Sequence, residues 1–118
     1  MTDIRTVGVI GAGQMGMGIA QVAAQAGYDV ILSDIDLPRA EKGLAGIAKL
    51  LSRAVEKEKI SQADADGTLA RIRPAGEIAP LAEAQLVIEA ATEREEVKRA
   101  IFANVGKILA DDAILATN

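Results

Sequence analysis

The sequence predicts an α/β fold of the doubly wound class, in which a parallel sheet carries helices on both faces. Short apolar runs alternate along the chain with longer segments of helical periodicity. A glycine-rich turn joins the first apolar run to the first helical segment. Half of the 118 residues are hydrophobic, yet Tyr28 and Phe102 are the only aromatic ones. A core of Ala, Val, Ile and Leu suits parallel strands that are covered by helices.

The first helix is predicted between two strands. Residues 7 to 10 form an apolar run typical of a buried strand. The helix behind this run is predicted to end at Gly27, because glycine suits the position that terminates a helix. The second strand, over residues 30 to 32, leads into Ser33 and Asp34.

A long helical excursion is predicted after the second strand. Asp36 is expected to cap a helix over residues 37 to 58, and Pro38 suits the first turn of that helix. Ser61 is expected to cap a short helix that ends at about Ala70.

Three further strands complete the predicted sheet. They cover residues 72 to 74, 86 to 89 and 113 to 117, with a helix over residues 94 to 108 before the last one. This succession predicts one Rossmann-type domain over residues 1 to 118, with the strand order 3-2-1-4-5. Ligands of such sheets bind outside the carboxyl ends of the strands.

The glycine-rich turn has the spacing of a dinucleotide-binding loop. Gly11 permits a tight turn, Gly13 lets a phosphate approach the backbone, and Gly16 allows the helix to pack on its strand. Gln14 and Met15 lie between these glycines at the start of the helix, whose N–H groups and positive dipole end favour an anion. The alternative is a glycine-rich turn selected for packing alone.

Asp34 bears on the choice of cofactor. It follows Gly16 by 18 positions, at the tip of the second strand, where a carboxylate can accept hydrogen bonds from an adenosine ribose. The alternative is a loop acid that caps the next helix, a role for which Asp36 is better placed. The 2′-phosphate of NADP would meet the charge of Asp34, so NAD is favoured, although Arg39 lies nearby and could help to hold that phosphate.

Composition excludes several classes of function. A net charge of −4, a pI near 4.8 and the few aromatic residues argue against a nucleic-acid partner. No run approaches the ~18 apolar residues of a membrane span, and no secretory signal precedes the first strand, so we expect a cytoplasmic protein. The absence of cysteine and histidine excludes disulfides, thiol catalysis, zinc sites and imidazole acid–base chemistry within these residues. No metal site is expected.

Taken together, these features resemble the N-terminal NAD-binding domain of L-3-hydroxyacyl-CoA dehydrogenases, including the bacterial 3-hydroxybutyryl-CoA dehydrogenases. The resemblance is carried by VGVIGAGQMGMGIAQVAAQAGYDVILSDID, LLSRAVEKEKI, LVIEAATEREEVKRAIF and ILATN. The first stretch would suit several dehydrogenase families, whereas the last two are far more restrictive.

The resemblance implies roles for individual residues. It implies that Asp34 holds the adenosine ribose, that Glu93 and Lys98 lie near the nicotinamide, and that Asn118 lies beside the reacting centre. Without the resemblance, Glu93 would be interpreted as a helix cap, Lys98 as a solvated charge and Asn118 as a chain end. The resemblance also places two basic residues of the long helix near the CoA moiety, although an exposed face paired with Glu56 and Glu58 would explain them equally well. These two residues are Arg53 and Lys57.

The implied reaction is reversible hydride transfer between NAD and C3 of a 3-hydroxyacyl-CoA, as in fatty acid metabolism. In this family the base is a histidine oriented by a glutamate, and these 118 residues contain no histidine. We therefore expect a fragment that binds NAD but is inactive alone, without the helical C-terminal domain that usually supplies the homodimer contact. Two alternatives stay open, a stand-alone NAD-binding or redox-sensing module and a 3-hydroxyisobutyrate-type dehydrogenase, which usually has Asn-Arg after the second strand.

Overall fold

A computed structural model of the chain describes residues 4–90 and 113–117, which form a parallel five-stranded sheet with flanking helices. In chain order the elements are β1 (Thr6–Ile10), α1 (Gln14–Gln25), β2 (Asp29–Ser33), α2 (Leu37–Glu56), α3 (Gln62–Ala70), β3 (Ile72–Ala75), a 3-10 helix (Ala79–Glu83), β4 (Leu86–Glu89) and β5 (Ile114–Thr117). The strand order is β3-β2-β1-β4-β5, as predicted. The helix predicted over residues 94 to 108 lies outside the described residues.

The helix boundaries at Asp36, Ser61 and Gly27 are set by local interactions that the sequence predicted. The Asp36 carboxylate accepts a hydrogen bond from the Arg39 amide at 2.9 Å, which caps α2. Ser61 caps α3 in the same way, with its hydroxyl accepting from the Asp64 amide at 3.0 Å. Gly27 follows the end of α1 with a φ of +102°, a conformation that glycine adopts without strain.

The long helix ends earlier than predicted. α2 terminates at Glu56, and Lys57 is its C-cap. Glu58 adopts a φ of +57°, in the left-handed region that cannot continue an α-helix. The helix was predicted to run to roughly residue 58, and it ends about half a turn before that point because a non-glycine residue takes the left-handed position.

The core lies on both faces of the sheet. On one face, β1 and β2 pack against α1 and α2 through buried residues that include Val9, Leu32 and Ile47. On the other face, Ile31 and Val87 pack with residues that include Leu81 of the 3-10 helix, an element that the sequence did not predict. Because both faces of these strands are buried, their sequences are continuous apolar runs and do not alternate with polar residues.

The parallel register brings the carboxyl ends of the strands to one edge of the sheet. Ile10 of β1 pairs with Ser33 of β2 on one side and with Glu89 of β4 on the other. Ser33 pairs in turn with Ala75, and Glu89 with Thr117. The loops that follow β1, β2 and β4 therefore begin side by side. In the part of the chain that the structure describes, no helix is both long and apolar enough to cross a membrane.

Candidate functional site

The glycine loop makes a sharp turn directly after β1. Gly11 has a φ of +106°, and its amide donates a hydrogen bond to the Ser33 carbonyl at 2.7 Å. A Cβ at Gly16 would overlap the carbonyl oxygen of Gly11, so glycine is required for α1 to begin this close to the loop. A Cβ at Gly13 would meet no atom of the described residues within 4 Å. The loop is therefore tightly packed on the protein side and open on the other.

The start of α1 faces this open side. Gly13 is the N-cap residue in an extended conformation, and it offers no side chain to cap the helix. The first turn contains no acidic residue. Gln14 is exposed, and Met15 is 55% exposed. The positive end of the helix dipole is thus not compensated by a carboxylate in its own first turn, which favours an anionic ligand there.

Asp34 connects the end of β2 to the glycine loop. One carboxylate oxygen accepts a hydrogen bond from the Ala12 amide at 2.8 Å, and the other accepts from the Ile35 amide at 2.7 Å. The structure assigns the cap of α2 to Asp36, so the alternative role for Asp34 is excluded. The carboxylate is half-buried, and each oxygen keeps a further lone pair for a ligand hydroxyl. The sequence did not reveal the bond to Ala12.

A cavity of about 450 Å³ opens between the glycine loop, the end of β2 and α2. Its size falls within the range of small-molecule sites. Asp34 lines it from β2, and Arg39 and Lys42 line it from α2. Gly43 lets the helix approach closely, because a Cβ there would lie 2.7 Å from the Cβ of Ala12. The sequence pointed to Asp34 and Arg39, whereas Lys42 and Gly43 were missed.

Glu89 is a second carboxyl group at the same edge of the sheet. It is the last residue of β4, pairs in register with Ile10, and is 0% exposed. From the sequence, Glu89 is predicted only to end the fourth strand. The sequence signal for this residue was an acid at the end of a short apolar run, which predicts a buried carboxyl group. Buried carboxyl groups are uncommon and concentrate at functional sites.

A larger and more apolar groove of about 700 Å³ lies beside α1. It runs from Gln14 and Met15 along α1 to Tyr28, over Leu86 and Ile88 of β4. None of its lining residues carries a charge, so it offers no partner for a phosphate. Within residues 4–90 and 113–117, no group of three or more metal-ligating side chains is present.

Two of the remaining site residues, Arg53 and Lys57, lie apart from this cluster. Arg53 lies in the last turn of α2 and Lys57 caps its end, both exposed. Arg53 follows Leu37 by 16 positions, about 24 Å along a helix axis. In the part of the chain that the structure describes, neither residue forms an ion pair. Three other predicted residues lie outside the described part: Glu93, Lys98 and Asn118.

Comparison with known proteins points to one family. The model of the family described as "3-hydroxyacyl-CoA dehydrogenase, NAD binding domain" matches residues 6–118. The chain is 47% identical over 115 residues to a 3-hydroxybutyryl-CoA dehydrogenase of Bradyrhizobium diazoefficiens, covering 98% of this chain and 39% of that protein. It is 42% identical over 118 residues to a 3-hydroxyadipyl-CoA dehydrogenase of Escherichia coli, covering 100% of this chain and 25% of that protein.

Solved structures give the same result. The (S)-3-hydroxybutyryl-CoA dehydrogenase of Ralstonia eutropha superimposes with a TM-score of 0.95 at 41% identity, over 98% of this chain and 41% of that one. The chain thus spans between a quarter and about two fifths of the length of these relatives.

The close packing at Gly16 predicts a stability effect. Gly16→Ala places a methyl group against the Gly11 carbonyl, and we expect the free energy of unfolding to fall by about 1–3 kcal/mol, as for other overpacked sites. Gly18→Ala is the matched control, because within residues 4–90 and 113–117 a Cβ at Gly18 in the same helix meets no atom closer than 4 Å. Alanine is about 1 kcal/mol more favourable than glycine inside a helix, so the control should be neutral or stabilising. Urea unfolding measures both, and equal stabilities would contradict the packing described.

Proposed function

Since this chain belongs to the 3-hydroxyacyl-CoA dehydrogenase NAD-binding domain family, we propose that it is the dinucleotide-binding part of an enzyme that oxidises 3-hydroxyacyl-CoA reversibly at C3. The family is one of NAD-binding domains, so NAD is the cofactor, as the sequence predicted. The observation that carries the proposal is the meeting of the glycine loop, the start of α1 and the Asp34 carboxylate at one edge of the sheet. The family match also favours this reaction over that of the 3-hydroxyisobutyrate-type dehydrogenases.

The described residues fit the adenosine and pyrophosphate parts of NAD. The open space over Gly13 admits a pyrophosphate to the backbone, and the uncapped start of α1, with Gln14 and Met15, faces that space. Asp34 presents a fixed carboxylate to the hydroxyls of the adenosine ribose. When bound, NAD supplies the hydride acceptor. The chain's own contribution is to hold and orient it.

The roles of the substrate-facing residues rest on the family resemblance. In this proposal Glu93 and Lys98 orient the nicotinamide end, and Asn118 lies beside the substrate. Arg53 and Lys57 attract the phosphates of CoA. Their charges support this role, because both are exposed and neither is neutralised by an acid in the described part of the chain. The acyl-CoA substrate therefore reaches the end of α2, away from the adenosine cavity.

The proton acceptor of the reaction is proposed to lie outside these 118 residues. Oxidation of a hydroxyl group needs a base that works near neutral pH, a role that histidine fills most often. The chain contains no histidine. Residues outside these 118 would supply the base, the rest of the substrate cleft and the contact of a homodimer. We propose the cytoplasm as the location of the whole enzyme.

The ribose contact of Asp34 is tested by titrating the 118-residue chain with NADH and following nicotinamide fluorescence. We expect Asp34→Ala to weaken binding by about tenfold or more, since a hydrogen bond to a charged group is worth about 1.5–3 kcal/mol. Asp29→Ala is the matched control, because Asp29 is exposed at the opposite end of β2. An unchanged affinity in Asp34→Ala would contradict the assigned role.

The location of the base is tested by turnover. We expect the 118-residue chain to bind NADH yet to show no oxidation of NADH with acetoacetyl-CoA, measured by absorbance at saturating concentrations of both. Turnover above the protein-free background would contradict the proposal. The coding sequence provides an independent check. A Thr-Ser continuation followed by a His-Glu pair supports the dehydrogenase, whereas a stop codon after Asn118 favours the stand-alone NAD-binding module.

A further inference from the structure

The apolar groove beside α1 is not used by the proposed binding of NAD. α1 forms one wall of the groove, and Leu86 and Ile88 of β4 form its floor. Ile114 of β5 pairs in register with Leu86 and therefore points to the same side of the sheet. Ile114 is 54% exposed, and Val22 on α1 is 66% exposed. An apolar side of β4 and β5 thus lies open next to α1, which is typical of an interaction surface.

The connections of the sheet follow a rule that leaves this side open. α1 joins β1 to β2 on the side of the groove. From β3 to β4 the chain crosses the sheet in the opposite direction, so a right-handed connection lies on the other side, where Leu81 of the 3-10 helix packs. β5 is one strand further in that direction, and the rule assigns a connection from β4 to β5 to that other side as well. By this rule, the connections between β1 and β5 do not cover the groove.

The open side has the dimensions of one further helix. α1 packs over β1 and β2, and neighbouring helices lie about 8–10 Å apart. Strands are spaced by about 4.8 Å, so a helix alongside α1 would lie over β4 and β5. α1 has 12 residues, which corresponds to a length of about 18 Å. Parallel sheets are normally covered by helices on both sides, and a helix here would complete that cover.

A second copy of the chain fits this surface less well than a helix of the same polypeptide. The open side measures roughly 200 Å² in outline, given the length of α1 and the spacing of two strands. A stable complex of separate chains buries about 800 Å² on each partner. A helix of the same polypeptide needs a smaller contact, because it does not lose the translational freedom of a separate molecule. None of the lining residues is charged, so the groove is complementary to the apolar face of a helix.

We propose that the apolar groove beside α1 holds an amphipathic helix from a part of the protein that follows Asn118. This inference rests on the proposed function, because it requires a protein longer than these 118 residues. The chain spans between a quarter and about two fifths of the length of its relatives, which leaves ample length for such a helix. Gln14 and Met15 line the groove where α1 begins, so the docked helix also positions the rest of the protein relative to the glycine loop.

The inference is tested by thiol labelling, because these 118 residues contain no cysteine. Val22→Cys places a thiol in the groove, and Leu50→Cys places one at an exposed aliphatic position of α2 as the matched control. Each variant is made in the 118-residue chain and in the longer protein. Mass spectrometry then follows the reaction of each position with N-ethylmaleimide. We expect the rate at position 22 to fall by about tenfold or more in the longer protein, and the rate at position 50 to change by less than about twofold.

The outcomes of the labelling separate this inference from the proposed function. Equal rates at position 22 in both proteins would overturn the inference, as would protection of positions 22 and 50 to the same extent. Protection that develops in the 118-residue chain as its concentration rises would assign the groove to a second copy and overturn it too. Protection of position 22 in a longer protein without turnover of 3-hydroxyacyl-CoA would overturn only the proposed function. A coding sequence that ends at Asn118 would overturn both.

Unfolding in urea gives a second readout that does not depend on an introduced thiol. Val22→Glu adds a charge at an exposed position of the 118-residue chain, and we expect its unfolding midpoint to stay unchanged. In the longer protein the same charge would be buried under the docked helix, so the midpoint should fall. Leu50→Glu should have the same effect in both proteins. A shift from Val22→Glu that is equal in the two proteins would contradict the inference.

Discussion

Two hydrogen bonds that loop amides donate to the carboxyl end of β2 hold the glycine loop in place. The Gly11 amide donates to the Ser33 carbonyl at 2.7 Å, and the Ala12 amide donates to the Asp34 carboxylate at 2.8 Å. They form because β1 and β2 are parallel and Ile10 lies beside Ser33, so the loop leaves β1 directly over the tip of β2. The path of the loop, the origin of α1 and one wall of the cavity all depend on this attachment.

Close packing by glycine then fixes both helices on the loop. The first turn of α1 packs on the loop where Gly16 lies against the Gly11 carbonyl, and α2 approaches Ala12 at Gly43. Neither contact leaves room for a Cβ. Packing of this kind fixes the backbone of the loop, and a backbone that is already fixed lowers the free-energy cost of binding a ligand. Asp34 contributes to the fold and to the site together. Its carboxylate accepts the Ala12 amide of the loop, and the residue also lines the cavity.

Much of this arrangement could be predicted from the sequence. The strand order follows from the alternation of apolar runs with helical segments and from the handedness of their connections. The caps at Asp36 and Ser61 follow from chemistry within a few residues. The glycine spacing predicted close packing of α1 at Gly16, where a Cβ would overlap the Gly11 carbonyl oxygen.

The rest could not be read from the sequence, for physical reasons. The bond between Ala12 and Asp34 joins residues 22 positions apart and depends on strand register. The end of α2 was missed because Glu58, and no glycine, takes the left-handed conformation.

The most direct test of the account is a crystal structure of the 118-residue chain with NAD bound. We expect the pyrophosphate over Gly13 at the start of α1. The adenosine ribose hydroxyls should bond to Asp34 while its carboxylate still accepts the Ala12 amide. A pyrophosphate bound away from the glycine loop, or a ribose with no contact to Asp34, would contradict the account.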